Sequence, residues 1–494
     1  MSQNQTRTRA FASWRVTAAV AFSLLASGPL TAKPATAAAD VNTLLKAAEI
    51  GDLQGLQIAQ PTIAGAGPKA LADARLDAAR FDEARAERDL KRYFASGDTD
   101  PVRQATAWSI AAEAAFAQGD YAAAAKAAAK WTERLPSGDP RRKDAAQIEA
   151  LGRVLAAVPR QSVIASSPVP IAASRDKVGL MKADALINGQ SQKVIVDTGA
   201  NLSVVSASVA KRLNLRVFDG AASVGSSTRD AVPVKLALAD RVEFAGFSLS
   251  HVAFLVLDDA QLALPLPGGY QIEAIVGFPV LRSMKRIQFT SDGRFVPESA
   301  PISRGQDVGE LRIVGSDLLV TARLGGIVTP LHLDTGAPES SLSALFAASH
   351  PEVLTGLDHS KTRTAGAGGA NVQEIATWRA VPVEIAGRTM TLPSLPITIS
   401  DPSGTTAKQM GLLGGDILGA FCSFTLDFQR ATFELGDPKR TGGLAACGQP
   451  SRAQARGAAG SPSAASSPLR RVCCIRTGSG VRKSSRECKN GEGC

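Results

Sequence analysis

Apolar positions between residues 41 and 155 are dominated by alanine and recur at helical spacing. The pattern breaks twice in the same way, at Ala79-Arg80-Phe81-Asp82-Glu83-Ala84 within 72–94 and at Ala117-Gln118-Gly119-Asp120-Tyr121-Ala122 within 107–135. Each break reads as the turn of a helical hairpin: small residues let two helices approach, a glycine or its equivalent closes the first helix, and an aromatic anchors the second. Residues 156–175, rich in Ser, Pro, Val and Ala, read as a linker. After it the period shortens to β-type runs separated by turns. An apolar run over 180–187, then Asn188-Gly189, then a second run over 192–196 is a hairpin signal, because Asn-Gly supplies the positive φ angles of a tight turn.

Two segments of this β-type region carry candidate chemistry. Val194-Ile195-Val196-Asp197-Thr198-Gly199-Ala200 is followed 137 residues later by Leu331-His332-Leu333-Asp334-Thr335-Gly336-Ala337. A lone Asp-Thr-Gly is a common strand-to-turn sequence, so the repetition needs other landmarks at the same offset. Asn188-Gly189 matches Gly325-Gly326, and Ser206 matches Ser343, each an N-cap for a short helix. Ile275-Val276-Gly277 matches Leu412-Leu413-Gly414, and Leu281 matches Leu418. In both halves that second glycine stands 80 residues after the aspartate. Residues 176–437 therefore read as two copies of one β-rich lobe.

An apolar strand ending in Asp-Thr-Gly-Ala, with a later apolar-apolar-Gly segment leading into a short helix, resembles the retropepsin-like aspartic proteases. Two copies in one chain are similar to the two-lobed pepsin arrangement. The helical breaks resemble tetratricopeptide repeats, with their two aromatics 40 residues apart against a usual ~34; a non-repeat helical bundle is the other open reading. The expected fold class is multidomain, with N-terminal α-helical hairpin repeats followed by an all-β two-lobed aspartic-protease-like domain. The expected boundaries are an export signal over 1–39, a helical domain over 40–155, the linker over 156–175, lobes over 176–305 and 306–440, and a disordered basic tail over 441–494.

The resemblance implies an aspartic-type endopeptidase in which Asp197 and Asp334 form a catalytic pair at the floor of a cleft between the lobes. Thr198 and Thr335 would hydrogen-bond across the lobe interface, while Gly199 and Gly336 let the chain turn sharply beneath each carboxylate. Two carboxylates held together share one proton, so one member can take a proton from water while the other polarises the peptide carbonyl. No metal or cofactor is needed. The implied ligand is a peptide or protein substrate bound in extended form, and the helical repeats would recruit a partner or that substrate. Cover candidates are 223–229, with Gly225, and 364–370, with Gly366, Gly368 and Gly369; ordinary hairpin loops are the equal alternative. The competing function is a catalytically silent peptide-binding scaffold, against which the Asp, Thr and Gly present in both halves count. The halves differ after the second glycine, where the second has Asp416 and the first has Phe278-Pro279. A pepsin-type flap tyrosine is missing, since the first Tyr after Asp197 is Tyr270.

Charge changes the picture only once it is located. The net +10 would suggest nucleic acid. Residues 1–39 hold four basic residues and no acid, residues 451–494 hold nine against two, and the body over 40–450 is left at −1. A nucleic-acid partner is therefore not expected. Basic residues up to Arg15, an apolar stretch over 16–26 and small residues ending in Ala37-Ala38-Ala39 read as an export signal to the periplasm or outside, too short for a stable membrane span. In an exported chain Cys422 and Cys447 can pair, while Cys473, Cys474, Cys488 and Cys494 crowd the tail. Four His and no His-Glu-x-x-His count against a zinc enzyme, and neither Gly-x-Ser-x-Gly nor a phosphate-binding glycine loop is present. His332, two residues before Asp334 on the same strand face, reads either as a tuner of the pair or as a packed core histidine. Asp258-Asp259 reads as a solvated loop end.

Overall fold

A computed structural model of the chain describes residues 40–225, 231–264, 268–299, 308–366, 369–400, 408–439 and 447. Residues 1–39, expected as an export signal, and, apart from Cys447, residues 441–494, expected as a basic tail, lie outside the described residues. Before the first strand come helices α1 (Val41–Glu49), α2 (Gln54–Ala59), α3 (Ala66–Ala79), α4 (Glu83–Ala95), α5 (Pro101–Ala117), α6 (Tyr121–Arg134) and α7 (Arg142–Val154).

The hairpins turn where the alanine pattern breaks. Arg80-Phe81-Asp82 joins α3 to α4 with Phe81 at φ 64°, and Gln118-Gly119-Asp120 joins α5 to α6 with Gly119 at φ 70°. Each turn ends in an N-cap, Asp82 accepting from the Arg85 N–H and Asp120 from the Ala123 N–H, a contribution of about 1 kcal/mol each. The two aromatics do more than anchor the second helix. Phe81 meets Phe278 and Phe428 of the β region at ring distances of 6.4 and 5.8 Å. Tyr121 meets Phe116 and shares an apolar cluster with Leu202, Leu236 and Leu238. Both turns therefore point into the β region. A short helical array cannot bury enough surface alone, and here the β region completes its core; Val314 and Leu319 likewise close the cluster formed by Leu45, Leu71, Tyr93 and Ile110.

The linker over 156–175 is corrected to a set of edge strands. Ser162–Ser166 pairs with Phe247–Leu257, Ile171–Ala172 with Arg294–Pro297, and Ser174–Arg175 with Met181–Ile187. All five positions of Ser162–Ser166 are exposed. A strand with no face to bury shows no apolar alternation, so its composition looks like that of a linker.

The β region contains sheets of nine and thirteen strands. Met181–Ile187 and Gln190–Val196 form the first hairpin across Asn188 (φ 48°) and Gly189 (φ 77°); Asp317–Leu324 and Ile327–Leu333 form its counterpart across Gly325-Gly326. In the first copy Ala274–Val276 inserts between Gln190–Val196, in parallel, and Ser203–Ser206, antiparallel. Gly411–Leu413 takes the same place between Ile327–Leu333 and Ser341–Leu342. The copies are not independent in the sheet, because Arg286–Thr290 and Arg294–Pro297 of the first join the second through Ser423–Asp427. Arg286 is buried in that junction and bonds Asp427 and Glu434, both at 2.7 Å. Cys422 and Cys447 form a disulfide with Cα atoms 5.5 Å apart.

Candidate active site

Asp197 and Asp334 each stand one residue past the end of a buried strand, Gln190–Val196 and Ile327–Leu333. Their positions are set by main-chain bonds repeated in both halves. The Asp197 N–H donates to the Val276 carbonyl and the Asp334 N–H to the Leu413 carbonyl, both at 3.1 Å. The Gly277 N–H donates to Ser203 Oγ at 3.2 Å, and the Gly414 N–H to Ser340 Oγ at 2.9 Å. Ser203 and Ser340 were missed in the sequence, where the signal was a serine six residues after each aspartate.

Thr198 and Thr335 lock the two halves together at a buried interface. The Thr198 hydroxyl donates to the Leu333 carbonyl at 2.9 Å and accepts from the Thr335 N–H at 3.1 Å. Reciprocally, the Thr335 hydroxyl donates to the Val196 carbonyl at 2.9 Å and accepts from the Thr198 N–H at 3.0 Å. Each hydroxyl thus satisfies two backbone groups that would otherwise be buried without partners.

The lock brings the carboxylates face to face. The Gly199 N–H donates to Asp197 Oδ1 at 2.8 Å and the Gly336 N–H to Asp334 Oδ1 at 2.7 Å. A Cβ on Gly199 would stand 2.8 Å from Asp334 Cγ, and one on Gly336 2.6 Å from Asp197 Oδ2. Glycine is required at both places because each carboxylate lies against the opposite lobe's backbone. The two carboxyl groups are thereby held beside each other, each against the glycine of the opposite half. Burial first, and then the neighbouring carboxylate, push Asp197 well above the usual carboxylate range. Burial also raises Asp334, against the hydrogen bonds it receives. The pair titrates as a unit that holds one proton across the range between its two steps.

Above the pair lies a cleft of about 2460 Å³ lined by both lobes and by the helical region. Its wall beside Asp197 is apolar, with Leu180, Val204, Val232, Leu257 and Ile275. The wall from the second lobe is polar, with Thr362, Thr364, Thr377 and Thr398. Of the cover candidates, Gly225 and Gly366 border the cleft and Gly366 pairs with Gly369 across its hairpin, while Gly368 lies outside the described residues. Nothing in the residue pattern of α7 shows that it reaches this cleft. Its Gln147 Oε1 accepts from the Gly225 N–H at 3.1 Å, and its Asp144 pairs with Lys408 of the second lobe. The Phe278-Pro279 departure also finds its reason: Phe278 keeps the N–H bond to Ala200 that Gly415 makes to Ala337, and its ring receives Phe81. Asp258 and Asp259 are exposed, and Asp258 caps a short 3-10 turn. Among the described residues no group of three His, Cys, Asp or Glu side chains converges as a metal site, and no helix is long and apolar enough to cross a membrane.

A family model described as aspartyl protease matches residues 183–280, the span that contains Asp197, Thr198, Gly199 and Gly277. Among solved structures the chain is similar to a retropepsin-like aspartic protease from Rickettsia conorii, with 19% identity over 28% of this chain and 96% of that one and a TM-score of 0.20. It is also similar to Basic 7S globulin from soybean (12% identity, 54% and 94% covered, TM-score 0.32) and to conglutin gamma, a basic 7S globulin from lupine seeds (10% identity, 57% and 97% covered, TM-score 0.33). A comparison with curated proteins gives no match. The β region has an aspartic-protease-like fold, preceded by a helical region.

Proposed function

We propose that this chain is a single-chain aspartic endopeptidase whose two lobes each contribute one catalytic carboxylate, Asp197 and Asp334. The observation that carries the proposal is the half-buried carboxyl pair, each member set against the other half's glycine, with the two halves held by four reciprocal threonine bonds. An extended peptide lies along the cleft with its scissile carbonyl above the pair. The ionised member takes a proton from a water molecule, whose oxygen adds to the carbonyl carbon. The protonated member gives its proton to the carbonyl oxygen, so the tetrahedral intermediate is neutral. Return of a proton to the amide nitrogen then breaks the C–N bond. Metal and cofactor have no part in this chemistry.

The same proposal includes export of the chain and a role for the helical region, with its tetratricopeptide-like hairpins, in bringing a protein to the cleft. Support for that role is the position of α7 at the cleft wall. One observation favours the silent scaffold instead: α7 bridges the first-lobe cover at Gly225 and the second lobe at Lys408, which narrows access. Hydrolysis of casein and of a peptide library by the full chain between pH 3 and 7 decides between them. Cleavage lost in Asp197→Asn and in Asp334→Asn supports the peptidase; binding of a statine-type peptide without any cleavage supports the scaffold.

A further inference from the structure

His332 has no counterpart in the first lobe, where Ile195 occupies the matching strand position. It lies in Ile327–Leu333, two residues before Asp334, which follows just past the strand's end; an extended continuation puts both side chains toward the same face, and both line the cleft. The residue is 5% exposed and lines the cleft. Its Nδ1 makes no hydrogen bond and stands 3.6 Å from Asp317 Oδ1, an ion-pair distance once the ring is protonated. A purely structural core histidine has its buried nitrogen satisfied. This one is left facing a carboxylate that can bind the charged ring and cannot donate to the neutral one.

We propose that His332 is a proton-responsive positioning residue of the Asp197/Asp334 pair: with its ring charged, the pair keeps its single negative charge to lower pH. Several charged groups share this surrounding. Asp317 comes from Asp317–Leu324, Asp334 from just past the end of Ile327–Leu333, and Asp197 from across the lobe interface. The helical region contributes the Arg75–Glu113 ion pair at 3.0 Å, whose Glu113 also accepts from the Gly315 N–H, and the Arg141–Glu49 pair. The strand Gly411–Leu413 places apolar Leu412 beside His332. Each helical carboxylate has an arginine of its own, Glu113 facing Arg75, and Glu49 and Asp139 facing Arg141, which leaves Asp317 and the aspartate pair to meet the charge of His332. Its influence on Asp197 is in the lowering direction. Histidine is the side chain that ordinarily changes charge between pH 5 and 8. A charge on His332 would therefore shield the pair's remaining negative charge from further protons.

This inference rests on the peptidase reading only in its kinetic arm. The direct arm is an NMR titration of the imidazoles in the full chain, which has four histidines, His251, His332, His350 and His359; the signal lost in His332→Gln assigns the ring. Coupling is reciprocal, so Asp197→Asn is expected to lower the His332 midpoint by about one pH unit. Asp317→Asn is expected to lower it too, without touching the pair. In peptide hydrolysis, His332→Gln is expected to move the acid limb of kcat/KM upward by a similar interval; a structural role alone would scale the whole profile without moving it. A His332 midpoint unchanged in Asp197→Asn overturns the inference even if cleavage is robust. An inert chain with the coupling intact overturns the peptidase reading and leaves the coupling standing.

Discussion

Thr198→Val keeps the β-branched shape of the side chain and removes its hydroxyl. The Leu333 carbonyl and the Thr335 N–H then lose their partners, at present 2.9 and 3.1 Å away. Thr198 is 1% exposed, so water cannot replace the hydroxyl without opening the interface. A buried backbone group left unpaired costs about 1–3 kcal/mol, which gives about 2–6 kcal/mol for the two. Thr335→Val strips a different pair, the Val196 carbonyl and the Thr198 N–H, and is expected to cost a similar amount. Because both losses open one interface, the double variant should fall short of their sum. Urea unfolding followed by tryptophan fluorescence reads Trp108 and Trp131 of the helical region together with Trp378 of the second lobe, and Thr198→Ser, which keeps the hydroxyl, should lie within about 1 kcal/mol of the parent. Peptidase activity of Thr198→Val should fall further than its stability, since a misplacement of about 1 Å at a reacting centre costs on the order of 10²-fold. A Thr198→Val chain with an unchanged urea midpoint and unchanged turnover would refute the lock.

The pair itself makes a prediction about stability. Burial raises the folded-state values of Asp197 and Asp334, so their contribution is fully present below the unfolded carboxylate range near ~4 and is lost as pH rises through the folded values. Asp334→Asn should therefore melt above the parent at pH 7, with the gap closing toward about pH 3; a gap that is constant with pH contradicts the assigned direction. Arg286→Met leaves Asp427 and Glu434 buried beside no guanidinium and should cost about 3–5 kcal/mol in urea unfolding. Cys422→Ser opens a cross-link spanning 25 residues, and should lower stability by roughly 3 kcal/mol, with mass spectrometry of the untreated parent finding this pair oxidised.

Much of the site is legible in the sequence because the same hydrogen-bond arrangement is built twice. Asp197 and Asp334 each need a following threonine for the lock, a glycine against the opposite carboxylate, and a distant apolar pair to accept the aspartate N–H. Those demands imprint one offset on both halves. Asn188-Gly189 and the caps Ser206 and Ser343 are legible for a different reason, since turns and caps are solved within a few residues. What could not be read depends on partners far away in the chain. Phe81 looks like a helix anchor until Phe278 and Phe428 are placed around it. Gln147 and Asp144 look like solvated positions of α7, and only packing brings them to Gly225 and Lys408. The hairpin over 286–297 pairs with Ser423–Asp427 of the other copy, and hydrophobic period alone cannot name a strand's neighbour.

The most direct test of the central claim is the rate of peptide hydrolysis by the full chain across pH 3–7, set beside Asp197→Asn and Asp334→Asn prepared identically. The shared-pair account predicts that each single substitution removes at least about 10³-fold of the rate, because neither carboxyl can perform both proton transfers alone. Cleavage that survives unaltered in either variant would contradict it.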